Sequence, residues 1–301
     1  MPRVAVLFLG NPEDTGKVNL AAFVEGMRAQ GYVDGRNVVL DVNFARSQFD
    51  RLPEIIAGML AAKPDVIVVP RSPAILAAKK ATSTVPIVMA IAADPVEQGL
   101  VASLARPGGN VTGLASLTEV LAAKQLELLR EVFPTASRFG YLMSPADTSA
   151  QMIWIKAEQA AKRLGVTLMR FEASRRDELD AVLASVAKQQ PAALVIAQDA
   201  LFNINRKMIV QSLARTRMPA LHSYSEAAID GGFLSYTAGS IAEFYRASAR
   251  FVHRILKGAK PADLPVEQPV RFEVIVNLKT AKALGIVIPQ SVLLRVDRAI
   301  E

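Results

Sequence analysis

A chain of 301 residues, 51% hydrophobic and 21% charged, is long enough for two ordinary domains, each with its own core. That composition excludes a disordered chain, and no apolar run approaches the ~20 residues that a bilayer-spanning helix needs. The absence of cysteine removes disulfide scaffolds, thiol nucleophiles and thiolate metal sites together. His222 and His253 lie too far apart in sequence to suggest a metal pair, so neither metal nor cofactor is expected.

Net charge is +7, but the basic groups are scattered as Lys162-Arg163, Arg175-Arg176 and Arg206-Lys207, with Glu172, Asp177 and Glu178 between them. No RNA-binding aromatic motif or zinc-finger spacing accompanies them, so they read as solvated helix faces and no nucleic-acid partner is expected. A positive field does help to draw in anionic small molecules. The N-terminal run Val4–Leu9 passes into Gly10-Asn11-Pro12 without a small-residue cleavage site. Two options follow, a cytoplasmic chain or one whose export signal has been removed.

In chain order, Val4–Leu9 reads as a buried strand and Asn19–Gln30 as a helix stopped by Gly31. Strand Asn37–Phe44 follows. Within Arg51–Ala62, Leu52, Ile55, Ile56, Met59 and Leu60 fall on one helical face. Strand Asp65–Val69, helix Pro73–Ala81 and strand Ile87–Ile91 complete the first series. The order returns with strand Phe139–Met143, helix Gln151–Leu164, strand Thr167–Phe171 and a helix carrying Leu179, Val182, Leu183 and Val186. Strand Ala193–Ala197, helix Phe202–Ala214 and strand Ala220–Ser223 close the second series. Pro64 and Pro191 precede the third strands, and Pro86 and Pro219 precede the fourth.

Repeated βα units predict an α/β fold of two similar doubly wound lobes, each a parallel sheet with helices on both faces. Ligand-competent loops then lie outside the carboxyl ends of the strands, and two such edges facing one another make a cleft. The tail differs. Helix Ile241–Leu256 leads to a proline-punctuated connection over Gly258–Pro269, strand Arg271–Asn277 and helix Leu278–Leu284. Such a tail can cross back between lobes and widen the hinge.

Catalytic signatures are missing: the sequence holds no Walker A lysine motif, no G-x-G-x-x-G after a strand and no G-x-S-x-G elbow. No motif therefore marks a catalytic site, and the strand-end loops are read for ligand contacts instead. Candidate ligand-binding residues follow the strands. Gly10 and Asn11 form a turn after the first strand. Arg71-Ser72-Pro73 follows the third, where Ser72 reads as an N-cap with Pro73 at the first helical position. The same geometry offers a hydroxyl and backbone N–H groups to a carboxylate, strengthened by Arg71 if it faces the cleft. Asp94 and Asp199 stand where polar anchors for an ammonium group belong, with helix capping as the competing role. Ser144, Asp147 and Thr148 combine capping with ligand hydrogen bonding. Tyr224 and Tyr236 can supply an apolar wall. Trp154 reads as core, and His222 as a buried or capping histidine.

The run Asp94-Pro95-Val96, then Gly99 through Gly113, is long and distinctive. So is Ile255 through Gln268, continuing from Asn277 to Gly285. Together they resemble the ABC-transporter substrate-binding protein family whose better-known members bind tryptophan and other aromatic amino acids. The resemblance implies a type I periplasmic-binding fold with three chain crossings, near Ser116–Thr118, near Ala238–Ser240 and between Pro265 and Phe272. It implies lobes of residues 1–116 with 240–268 and of 117–239 with 269–301, and a small carboxylate ligand in the cleft between them. It further implies export as a periplasmic or lipid-anchored protein, with permease and ATPase subunits as partners. A monomer is the default for this architecture. Members of the family often carry Gly-Thr-Pro where this chain has Arg71-Ser72-Pro73; a cation in place of glycine, if turned inward, favours an acid lacking an amino group. Two other readings stay open, a sensor domain of the same fold and a cytoplasmic α/β enzyme acting on a phosphorylated substrate.

Overall fold

A computed structural model describes residues 1–13, 15–147, 149–268 and 272–301. The chain divides into two compact units, Met1–Ser116 with Ile241–Pro269 and Leu117–Ser240 with Val270–Glu301. The backbone therefore passes from one unit to the other three times.

Unit 1 opens with β1 (Arg3–Phe8), α1 (Thr15–Ala29), β2 (Val39–Phe44), α2 (Leu52–Ala61), β3 (Val66–Pro70), α3 (Arg71–Ala81), β4 (Ile87–Ala93) and β5 (Val111–Ser116). The five strands form one parallel sheet in the order β2-β1-β3-β4-β5. β1, β3 and β4 are the inner strands, and apart from the first residue of β1 every residue in them is buried. This is why they read as continuous apolar runs without alternation. β5, with the sequence VTGLAS, gives no such signal because Thr112, Gly113 and Ser116 interrupt any apolar run.

Unit 2 contains α4 (Thr118–Val132), β6 (Arg138–Met143), α5 (Ala150–Arg163), β7 (Thr167–Glu172), α6 (Leu179–Gln189), β8 (Leu194–Ile196), α7 (Ala200–Ile204), α8 (Arg206–Arg215), β9 (Ala220–His222), α9 (Ser225–Ile229) and β10 (Leu234–Thr237). The expected single helix over Phe202–Ala214 is two. α7 ends at Asn205, whose side-chain amide donates to the Leu201 carbonyl at 2.8 Å, and α8 starts afresh at Arg206. An asparagine bonding the backbone in this way competes with the helical ladder.

The chain then returns to unit 1 as α10 (Ile241–Leu256) and finishes in unit 2 with β11 (Glu273–Asn277), α11 (Leu278–Leu284), α12 (Gln290–Leu293) and β12 (Arg298–Ile300). The second sheet has the order β12-β11-β10-β9-β8-β6-β7. It is parallel except where β11 pairs antiparallel to β10.

α10 presents Phe244, Tyr245, Ser248, Val252 and Ile255 inward. It packs along α1 at Gly26, where a Cβ would come within 2.3 Å of the Arg246 carbonyl oxygen. The Tyr245 hydroxyl donates to the Leu7 carbonyl at 2.6 Å, and its ring lies 4.7 Å from that of Phe8. Burial holds the Tyr245 phenol well above its ordinary pKa, so it remains a neutral donor. After α10, residues 264–267 run beside β5. The Thr112 hydroxyl donates to the Leu264 carbonyl, Ala115 N–H donates to the Glu267 carbonyl, and Glu267 N–H donates to the Gly113 carbonyl. Arg250 adds an ion pair to Glu267 at 2.7 Å.

Candidate functional site

In unit 1 the loops after β1, β3 and β4 leave the carboxyl edge of the sheet side by side, because the strand order places β3 between β1 and β4. Gly10 is buried after β1, and the Asn11 carbonyl accepts from Gly16 N–H at 3.0 Å. Residue 16 has to be glycine, since a Cβ there would meet the Asn11 carbonyl oxygen at 2.3 Å and the Phe44 ring at 2.7 Å. The start of α1 is thereby drawn against the turn.

Arg71 follows β3 with φ +64 and is only 5% exposed. The left-handed region costs a non-glycine residue roughly 1–2 kcal/mol. Helix α3 begins at Arg71, two residues earlier than expected, with Pro70 extended at its N-cap and no side-chain cap. Ser72 is therefore not the N-cap: the left-handed Arg71 starts the turn early and takes Ser72 and Pro73 into it. Ser72 is buried and Pro73 half-buried.

Asp94 follows β4 and accepts from Glu97 N–H at 3.1 Å. The turn it opens is pinned by Gln98 Nε2 to the Ala93 carbonyl and by Lys79 of α3 to the Gly99 and Leu100 carbonyls. The strained, buried cation and the acid thus leave neighbouring strands.

In unit 2, Ser144, Asp147, Gln198 and Asp199 line one pocket at the carboxyl ends of β6 and β8, backed by Tyr141, Met143 and Ile153. Each acid is positioned by a backbone bond it makes itself. Asp147 Oδ1 accepts from Ser149 N–H at 2.9 Å and from the Ser149 hydroxyl at 2.6 Å. Asp199, the N-cap of α7, accepts from Leu201 N–H at 2.7 Å. Both acids are thereby held at the lining of this pocket. Burial raises the pKa of the Tyr141 phenol, which stays protonated. Gln198 had no signal in the sequence beyond its place before Asp199.

The other expected residues fall elsewhere. Tyr224 is buried at the start of α9, its carbonyl accepting from the Ser235 hydroxyl. Tyr236 stacks on Phe272, with centroids 5.9 Å apart, and feels the charges of Lys124, Arg295, Glu127 and Asp297. It lies on β10, two strands from β8, and is not part of the acid-lined pocket. Thr148 lies outside the described residues. Trp154 is core, edge-on to Tyr141 with the Arg170 guanidinium over its ring. His222 is core as well: it is 3% exposed and its Nε2 has no protein partner. It faces a cavity of about 20 Å³ among Val210, Leu213, Phe233 and Thr280. Among the described residues no three metal-ligating side chains gather, and no helix is long and apolar enough to cross a membrane.

Residues 12–300 match the family model described as ABC transporter substrate binding protein. The chain belongs to that family. It is a solute-binding component of an ABC transporter, and its family is one of binding proteins, not enzymes. A tyrosine-binding protein of Clostridioides difficile (strain R20291) is 26% identical over 262 residues, 87% of this chain and 75% of that relative. A crystal structure of the ABC domain of a Streptococcus pneumonia protein in complex with L-Trp is 26% identical, covers 99% of each chain and superposes with TM-score 0.90. The ligand-free, open structure of a Clostridium difficile substrate binding protein with adhesive properties is 22% identical, spans 100% of this chain and 99% of its own, and gives TM-score 0.70. The fold of this substrate-binding protein is accordingly the two-lobe α/β fold of periplasmic-binding proteins.

Proposed function

We propose that this substrate-binding protein captures a small carboxylate, an aromatic or branched amino acid or a related organic acid, at the carboxyl ends of its sheet strands. The observation that carries this reading is the acid-lined pocket of Ser144, Asp147, Gln198 and Asp199 at one sheet edge of a family member. Two carboxylates held in place by local hydrogen bonds are preorganised to attract an ammonium or hydroxyl group. Relatives that bind tyrosine and tryptophan support the same ligand class.

A ligand favours whichever conformation of the protein it binds better, by the difference between its contacts in the two states. The loaded protein is what a membrane permease with its ATPase would then receive, outside the cytoplasm, from a monomeric carrier. A Kd near 1 μM requires about −8 kcal/mol, within reach of a charge-paired head group and an apolar wall.

A thermal-shift screen of refolded, ligand-stripped protein tests the reading, with amino acids, aromatic acids, aliphatic acids and sugars as arms. Ligand at a hundredfold over Kd adds about 2.7 kcal/mol, enough to raise Tm by several degrees. A response confined to carboxylates is expected. A response to sugars alone, or to none of the four classes, would remove this ligand class.

A further inference from the structure

α7 spans five residues, and polar contacts hold both its ends. At its start Leu201 N–H donates to Asp199 Oδ1 at 2.7 Å, and past its last turn Arg206 Nη1 donates to the Asn203 carbonyl at 3.2 Å. So short a helix has little cohesion of its own. Leu201 and Phe202 are buried, but apolar packing is non-directional. It sets the depth of α7 and not the heading of the residue that opens it.

The same guanidinium reaches a second element. Arg206 Nε lies 2.8 Å from Asp230 Oδ2 at the end of α9, and the two side chains are 18% and 20% exposed. Both atoms are buried and form no hydrogen bond elsewhere. Pairs such as Arg51–Glu54 and Arg175–Asp177 join exposed side chains, where an ion pair contributes little. A largely buried pair differs, because removing one partner leaves the other charge uncompensated. Asp230 also stands on a fixed segment. Asn277 Nδ2 donates to the Ala228 carbonyl at 3.1 Å, and the Thr280 hydroxyl donates to the Gly231 carbonyl at 2.8 Å, which ties the end of α9 to α11 and its cap. Every link in this chain of contacts lies within unit 2, and it ends at Asp199 in the acid-lined pocket.

We infer that Arg206, paired with Asp230, is a positioning residue that aims Asp199 at the ligand's amine. This rests on the reading of the chain as a carboxylate binder whose acid-lined pocket takes an ammonium group. It deepens that reading, because discrimination for the amine then depends on an ion pair that does not itself line the pocket. A binding carboxylate is effective when the elements that carry it are locked by their own packing and hydrogen bonds, and Arg206 supplies such a lock at the far end of α7.

Calorimetry tests this by comparing each amino acid with its amine-free counterpart: L-tryptophan with indolepropionate, L-tyrosine with phloretate and L-leucine with isocaproate. The readout is the affinity ratio within a pair, in the wild type, Arg206→Lys and the double variant Arg206→Gln/Asp230→Asn. The double variant removes both charges together, so no lone buried charge opposes folding. The wild type is expected to prefer the amine-bearing acid, and the double variant to lose about tenfold or more of that preference while binding the amine-free acid as before. Arg206→Lys keeps the cation and is expected to retain part of the preference. In an Asp199→Asn background the double variant is expected to change the ratio no further, because the carboxylate being aimed is gone. A further fall there would overturn the inference. An unchanged ratio in the double variant, whether both affinities fall together or neither does, overturns it too: the ion pair then serves the fold, and the carboxylate reading stands. A wild type that binds these acids without preferring the amine has the same meaning. If the wild type binds none of the six acids, the carboxylate reading fails and takes the inference with it.

Discussion

Asp199 caps α7, and the proposed function gives the same carboxylate a ligand contact; substitution separates the two. Asp199→Ala removes the cap on Leu201 N–H, worth about 1 kcal/mol, and the charge together. Asp199→Asn keeps an acceptor for that N–H and removes only the charge. Both variants are expected to bind an amino acid at least about tenfold more weakly, with Tm lowered only in the alanine variant. Wild-type affinity in the asparagine variant, read by calorimetry, would take Asp199 out of the site.

His222 makes a second residue-level prediction. Burial pushes its pKa down from its ordinary 6.5 to about 4, and its surroundings in the cavity, Val210, Leu213, Phe233 and Thr280, are uncharged. The folded state therefore keeps the ring neutral between about pH 6.5 and 4, while the unfolded state binds a proton. Stability present above pH 6.5 is lost as pH falls through that window, by about 3 kcal/mol at most from this one group. Urea unfolding as a function of pH checks it: His222→Gln should show a shallower acid limb than the wild type, and identical limbs would assign the loss to other groups.

At the level of elements, the contact of α1 with α10 depends on Gly26. A methyl group there would press on the Arg246 carbonyl oxygen, and relief requires the helices to move apart. Gly26→Ala is expected to cost about 1–3 kcal/mol despite alanine's better helix propensity, a difference visible in denaturant midpoints. A stabilised variant would show that the helices yield easily.

The repeated βα units were legible because buried inner strands and amphipathic helices have unmistakable periods, and α10 and α11 have the residue ranges that the sequence suggested. β5 and α4 were not legible, and neither were α9, α12 and β12, all short. The break at Asn205 depends on one side-chain amide and leaves no mark in the hydrophobic pattern. The antiparallel direction of β11 is a tertiary outcome that a strand's own residues do not encode. At the site, the strand-end positions of Ser144, Asp147 and Asp199 were accessible because strand ends could be placed. The left-handed start of α3 was not, since Pro73 pointed to a later helix start. Tyr236 had no strand assigned from the sequence; on β10 it stacks on Phe272, away from the acid-lined pocket.

For the molecule as a whole, three chain passages make each unit discontinuous in sequence. The tail after Ser240 therefore completes both units, with α10 joining unit 1 and β11 joining unit 2.

The bond from Tyr245 to Leu7 spans 238 residues, and the segment beside β5 is more distant still from β1. During synthesis the first five strands emerge long before the helix that covers α1, so unit 1 lacks a finished core until nearly the whole chain has left the ribosome. The nascent protein thus spends most of its translation with apolar faces uncovered. Its two halves mature almost together, at the end, and not one after the other.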